Sequence, residues 1–100
     1  MKSIITDDME SCYLCGMNGS ADKLDVHHIF GGYANRQKSE KYGLVVPLHH
    51  STCHELGKNA VHNNAEIMKK LRREAQLKAM EYYGWSIEEF IKIFGRNYLC

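Results

Sequence analysis

Cys12 and Cys15 stand two residues apart, and about 35 residues later His50 and Cys53 repeat that gap. Zinc takes four soft or borderline ligands in a tetrahedron, and a pair with two intervening residues spans one edge of it from a single turn. Two such pairs close a site, so a structural zinc on Cys12, Cys15, His50 and Cys53 is expected. His49 is a rival to His50, because three intervening residues also reach Cys53. Buried thiols are otherwise ordinary small hydrophobes; the second pair, directly after an apolar run and beside further histidines, favours the metal. Cys100 is left over as a free thiol with no assigned role.

Four more histidines remain: His27, His28, His54 and His62. An imidazole near its ordinary pKa of about 6.5 can accept a proton at neutral pH or hold a divalent ion. His27 and His28 are adjacent in the run Leu24-Asp25-Val26-His27-His28-Ile29-Phe30. Strand side chains alternate faces, so the two serve one site only if the strand twists or ends there. Otherwise one binds a metal while the other meets a substrate from the side.

The elements that must position these groups follow from pattern. Asp25 to Phe30 reads as a short strand closed by Gly31-Gly32, and Leu44-Val45-Val46-Pro47-Leu48 as a second, with the only proline at an edge or an end. Residues 33–42 are polar and basic, with no apolar stripe, and read as the loop of a two-stranded ribbon. Residues 1–11 read as a frayed leader, and Cys12 to Gly19 as a metal-binding turn in which Gly16 and Asn18-Gly19 tolerate positive φ. His49 to Glu55 is expected to turn into a short helix that Gly57 ends. Asn63 with Glu66 three residues on opens a long helix to Tyr83, with Met68, Leu71, Ala75, Ala79 and Tyr82 as its apolar stripe and Gly84 as its stop. Ser86 with Glu89 caps a last helix whose face is Ile87, Phe90, Ile91 and Phe94.

One hundred residues, 44% hydrophobic and 25% charged, describe one small α+β domain over 1–100, soluble and with a modest core. No repeat, low-complexity tract or linker suggests a boundary. The run MKSIITDDMESC contains no apolar segment of signal-peptide or anchor length, so a reducing, cytoplasmic setting and no membrane partner are expected. A net charge of +1 does not mark a nucleic-acid binder. Any such binding must come from a local patch.

The series Cys12-Tyr-Leu-Cys15, Val26-His27-His28-Ile29, Leu44-Val45-Val46-Pro47-Leu48, Cys53-His54 and Val61-His62-Asn63 resembles the HNH endonuclease family in its zinc-stapled subgroup. The segment 41–64 and the ending Phe90 to Leu99 are similar to small HNH-type proteins of bacteriophages and prophages. The resemblance covers 12–64 in motif and implies a ββα-metal (His-Me finger) core, a structural zinc knuckle pair and a C-terminal helical extension over 64–99. It implies that His27 and His54 hold a catalytic divalent ion (Mg²⁺, Mn²⁺, Ni²⁺ or Zn²⁺), that His62 completes the set, and that His28 is the general base. On a straight helix His54 and His62 would stand about 12 Å apart, so a break near Gly57 and Asn59 is required. The family's asparagine at the start of the second strand is replaced here by Gly43 or Leu44, with Asn35 and Asn63 as substitutes not placed by the motif.

The implied activity is metal-dependent hydrolysis of phosphodiesters in DNA, inside a bacterial cell that carries the phage or prophage. Arg36, Lys38 and Lys41 between the strands, with Lys69 and Arg73 on the long helix beside Lys70, Arg72 and Lys78, would meet phosphates. Tyr33 and Tyr42 could stack on a base or pack in the core. Without an appended recognition domain, cutting would show little sequence preference or depend on a separate targeting protein. The alternative is a zinc-stapled module on the same scaffold that binds nucleic acid or protein without turnover, as a phage accessory or counter-defence factor would.

Overall fold

The computed structural model describes residues 3–55, 60–61 and 64–99. Its centre is a two-stranded antiparallel ribbon, β1 (Leu24–His28) with β2 (Val45–His49), in the register Leu24 to His49, Val26 to Pro47 and His28 to Val45. Opposed residues share a face. Leu24, Val26 and His28 therefore lie with His49, Pro47 and Val45, while Asp25 and His27 lie on the other face with Leu48 and Val46. The chain is α+β, as expected, with both strands where the β-branched runs put them.

Every residue of β2 is buried. Its outer edge is covered by residues 3–13: Ser3 Oγ donates to Val45 O at 2.6 Å, and the Tyr13 N–H donates to Pro47 O at 2.8 Å. Pro47 thus lacks only a donor, and its carbonyl is used. Residues 3–11, expected to fray, are instead docked, with Ser3 and Ile5 buried.

A larger difference lies between the strands. Residues expected to loop form α1 (Tyr33–Tyr42), which ends at Gly43 in the left-handed region, φ 74°. Ser39 is the one buried residue of this helix. Its hydroxyl donates to Phe30 O at 2.9 Å and accepts from the Phe30 N–H at 3.1 Å, tying the helix to the end of β1. A helix held mainly by polar side chains, Ser39 together with Asn35 and Lys38, carries no apolar stripe, so hydrophobic periodicity could not reveal it.

After β2 the chain makes a π-helical turn, His50–Glu55, where a short helix was expected; Gly57, its expected end, lies outside the described residues. Helix α2 (Ala65–Tyr83) is capped by Asn64, whose side-chain oxygen accepts from the N–H groups of Glu66 and Ile67. Asn63, expected as the cap, also lies outside the described residues. The buried face of α2 is Leu71, Ala75, Gln76 and Ala79, and Tyr82 is exposed despite its place in the stripe. Helix α3 (Ile87–Phe94) starts with the expected Ser86–Glu89 capping box and buries Phe90 and Phe94, with Ile87 and Ile91 at its rim. Phe30 packs against the rings of Phe90, Phe94 and Tyr98, joining the ribbon to α3.

Candidate metal centre

Cys12, Cys15, His49 and Cys53 offer ligand atoms that all lie within 4.8 Å of one another. The first two come from a knuckle that closes through the Cys12 N–H to Met17 O and the Gly16 N–H to Cys12 O, both 2.8 Å, with Gly16 at φ 80°. His49 Nδ1 is 3.2 Å from Cys15 Sγ and 3.8 Å from Cys53 Sγ. Around a tetrahedral zinc with bonds of about 2.0 and 2.3 Å, nitrogen and sulfur stand about 3.5 Å apart, so the four residues fit that ion. His49 Nε2 donates to Asn18 O at 2.7 Å, which leaves the Nδ1 lone pair directed at the thiols. Burial alone would raise the Cys12 thiol. The backbone N–H groups of Cys15, His49 and Leu14, with the Cys53 side chain, outweigh it and bring the pKa to about 7, so a good part is thiolate at neutral pH.

His50, expected as the third ligand, is not in this cluster; its rival His49 takes the place. The register explains the exchange. His49 opposes Leu24, whereas the next residue alternates to the Asp25 side of the ribbon. There His50 Nδ1 donates to Asp25 Oδ2 at 2.6 Å, while its backbone N–H donates to Lys23 O.

A second cluster forms on that side. Asp25 Oδ2 also accepts from His54 Nδ1 at 3.0 Å, and His54 Nε2 lies 3.2 Å from Nδ1 of the buried His27. The two rings meet edge to face, with centroids 5.0 Å apart. Burial would raise the Asp25 carboxyl, but the bonds from His54 and His50 and their charge hold it below the usual 3.8. One π-helical turn feeds both centres, sending Cys53 to the thiols and His54 to His27. Sequence reasoning missed Asp25, although its place two residues before His27 on a strand puts both on one face.

His28 is on the opposite face from His27. Its Nε2 lies 3.9 Å from Glu40 Oε2 of α1. Burial, then the Arg36 charge, lower its pKa against the opposing pull of Glu40, and this lowering favours the neutral form of the ring. His62 lies outside the described residues, as does Cys100.

The expected phosphate contacts divide. Lys38 Nζ donates to Ile93 O, and Asn35 Nδ2 donates to Phe94 O at 3.1 Å, so both cap the last carbonyls of α3. Lys38, expected at a phosphate, and Asn35, a substitute for the family's asparagine, are thus both engaged with α3. Arg36 is exposed beside His28, and Lys41 lies over the Tyr42 ring. Lys69 and Arg73 are exposed on α2. Tyr33 is exposed, while Tyr42 packs against Tyr83 and Trp85. Among the described residues, no helix is long and apolar enough to cross a membrane.

Fold and site together define a small α+β protein with a Cys₃His cluster able to hold a metal ion. Comparison of the chain with protein-family models, curated proteins and solved structures finds no match.

Proposed function

We propose that this chain is a zinc-stapled, metal-dependent nuclease of the HNH type, on a ββα-metal core, hydrolysing phosphodiester bonds in DNA. The observation that carries the proposal is the 3.2 Å separation of His27 Nδ1 and His54 Nε2 beside the Cys₃His cluster. Two imidazole nitrogens on one divalent ion stand about 3.0–3.4 Å apart for bonds of about 2.1 Å. His54 gives its Nδ1–H to Asp25 and turns its Nε2 toward His27 Nδ1, so Nε2 is the nitrogen placed to ligate, and the carboxylate fixes the ring's orientation. When bound, the ion supplies charge stabilisation for the phosphate and lowers the pKa of a water. In this reading His27 and His54 hold the ion, and His28, its neutral form favoured, accepts the proton.

One observation favours the alternative, a zinc-stapled binding module without turnover: His28 lies against α1 on the face opposite His27. Plasmid cleavage in Mg²⁺, Mn²⁺ or Ni²⁺ separates the two. A nuclease cuts, loses cutting in His27→Ala and His54→Ala, and in His28→Ala slows about 100-fold or more if that ring is the base. Absence of cutting by the parent protein with every ion, with one zinc bound, establishes the binding module instead.

A further inference from the structure

Gln76 is fully buried on α2, and apart from a 3.7 Å contact of its Nε2 with Met80 Sδ its amide is used by the segment that follows α3. Its Nε2 donates to Asn97 Oδ1 at 2.8 Å, and its Oε1 accepts from the Tyr98 N–H at 2.7 Å; Asn97 Oδ1 in turn accepts from the Leu99 N–H. A buried amide satisfied on both ends holds residues 97–99 in one place. That placement sets the Tyr98 ring between two guanidinium groups, with Arg72 Cζ at 5.7 Å and Arg96 Cζ at 5.1 Å from its centroid.

The result is a cleft of about 270 Å³ lined by Ala65, Met68, Lys69, Arg72, Arg96 and Tyr98. Three cations line it, with no carboxylate among the described residues of its wall. Arg72 Nε is buried with no hydrogen-bond partner among the described residues. Three like charges within one small cleft repel one another, and an anion relieves that repulsion while supplying acceptors. A neighbouring cleft shares Lys69 and Tyr98 and adds Lys70 and Arg73, with Glu66 as its single acid. Together the two follow α2 from residue 65 to residue 73, about 12 Å of helix. One DNA strand carries about three or four phosphates over that length. A row of this kind suits a repeating anion better than an isolated one.

We infer that the paired clefts between α2 and residues 96–99 form a binding site for the phosphate backbone of DNA, with Arg72 and Arg96 as its centre and Tyr98 orienting both guanidinium groups. The ligand class rests on the proposed nuclease or nucleic-acid-binding reading; the location does not. It extends the expected contacts at Lys69 and Arg73 to a built cleft whose other wall comes from the segment after α3.

The test uses the zinc-loaded full chain, a fluorescein-labelled 20-base-pair DNA duplex and no other divalent ion. Arg72→Gln/Arg96→Gln is expected to weaken binding about tenfold or more at fixed salt, and to lower the slope of log affinity against log salt by about two. Lys69→Gln should lower the slope by about one, and Lys92→Gln, on the exposed face of α3, should change neither. Circular dichroism and zinc content equal to the parent's show that the double variant is folded; if it is not, Lys69→Gln with Arg96→Gln gives the same readout while leaving Arg72, whose Nε is buried, in place. Unchanged affinity and slope in a folded double variant overturn the inference. So does an equal loss in Lys92→Gln, or selective loss of binding to anionic phosphatidylserine vesicles while DNA binding persists. DNA binding that falls in the double variant of a protein that never cuts removes the nuclease and keeps the cleft; cutting that survives with unchanged binding does the reverse.

Discussion

The two faces of the ribbon carry side-chain clusters of opposite character, one able to hold a metal ion and the other an ion site only in the proposed nuclease. On one, three thiols and His49 gather with the His49 ring fixed by a backbone carbonyl, a donor set that suits zinc and a closed structural site. On the other, His27 and His54 meet over a carboxylate that also takes His50, a harder set suited to a labile ion. Soft, closed sites contribute folding free energy, whereas an imidazole pair leaves room for water and substrate. The difference teaches that one six-residue π-helical turn can feed two side-chain clusters at once, because Cys53 joins the thiols while His54 meets His27 and Asp25.

The comparison breaks most visibly at the staple. Apparent zinc affinities in such sites are worth about 10 kcal/mol or more, comparable with a whole domain's stability. Cys53→Ser and His49→Ala should therefore lose zinc and cooperative unfolding, read by metal analysis and thermal circular dichroism. His50→Ala should keep one zinc per chain, and loss of zinc in that variant would return His50 to the ligand set. At the other face His54→Ala should leave zinc content intact and abolish the weaker Mn²⁺ binding followed by calorimetry; retained Mn²⁺ affinity would remove the second ion from the His27 and His54 pair.

Asp25→Asn sharpens the contrast further. Losing a carboxylate partner of a metal-ligating histidine costs about 10–100-fold in affinity, so the Mn²⁺ constant should fall by that range with zinc unchanged. Asp25 is held below its usual 3.8 in the folded protein. Its contribution is thus present above about pH 4 and is lost as pH falls through the lower folded value. The Asn variant should show a flatter acid limb in a melting-temperature profile. The smallest effect is expected at Asn35→Ala, which frees the Phe94 carbonyl and should cost about 1 kcal/mol in denaturant unfolding without altering either metal.

Much of the frame was legible in the chain. The β-branched runs marked both strands, Ser86 with Glu89 marked the start of α3, and the cysteine spacing marked three of four ligands. Helix α1 was hidden because its ties are mainly polar side chains, not an apolar stripe. The docked residues 3–11 were hidden because their anchors are hydrogen bonds to a distant strand edge. That Lys38 and Asn35 hydrogen-bond the last carbonyls of α3 was likewise not legible, because those partners lie 55 and 59 residues away.

By itself the sequence determined which atoms were available: thiols and imidazoles at short spacings, whose reach is set by covalent geometry and so can be read locally. Only the tertiary structure decided how they were shared. Strand register, a long-range property, turned His49 to the thiols and His50 to Asp25, and it put His27 with Leu48 and Val46 and His28 with Pro47 and Val45. A shift of one residue would reverse every one of those assignments, because adjacent side chains on a strand point to opposite sides.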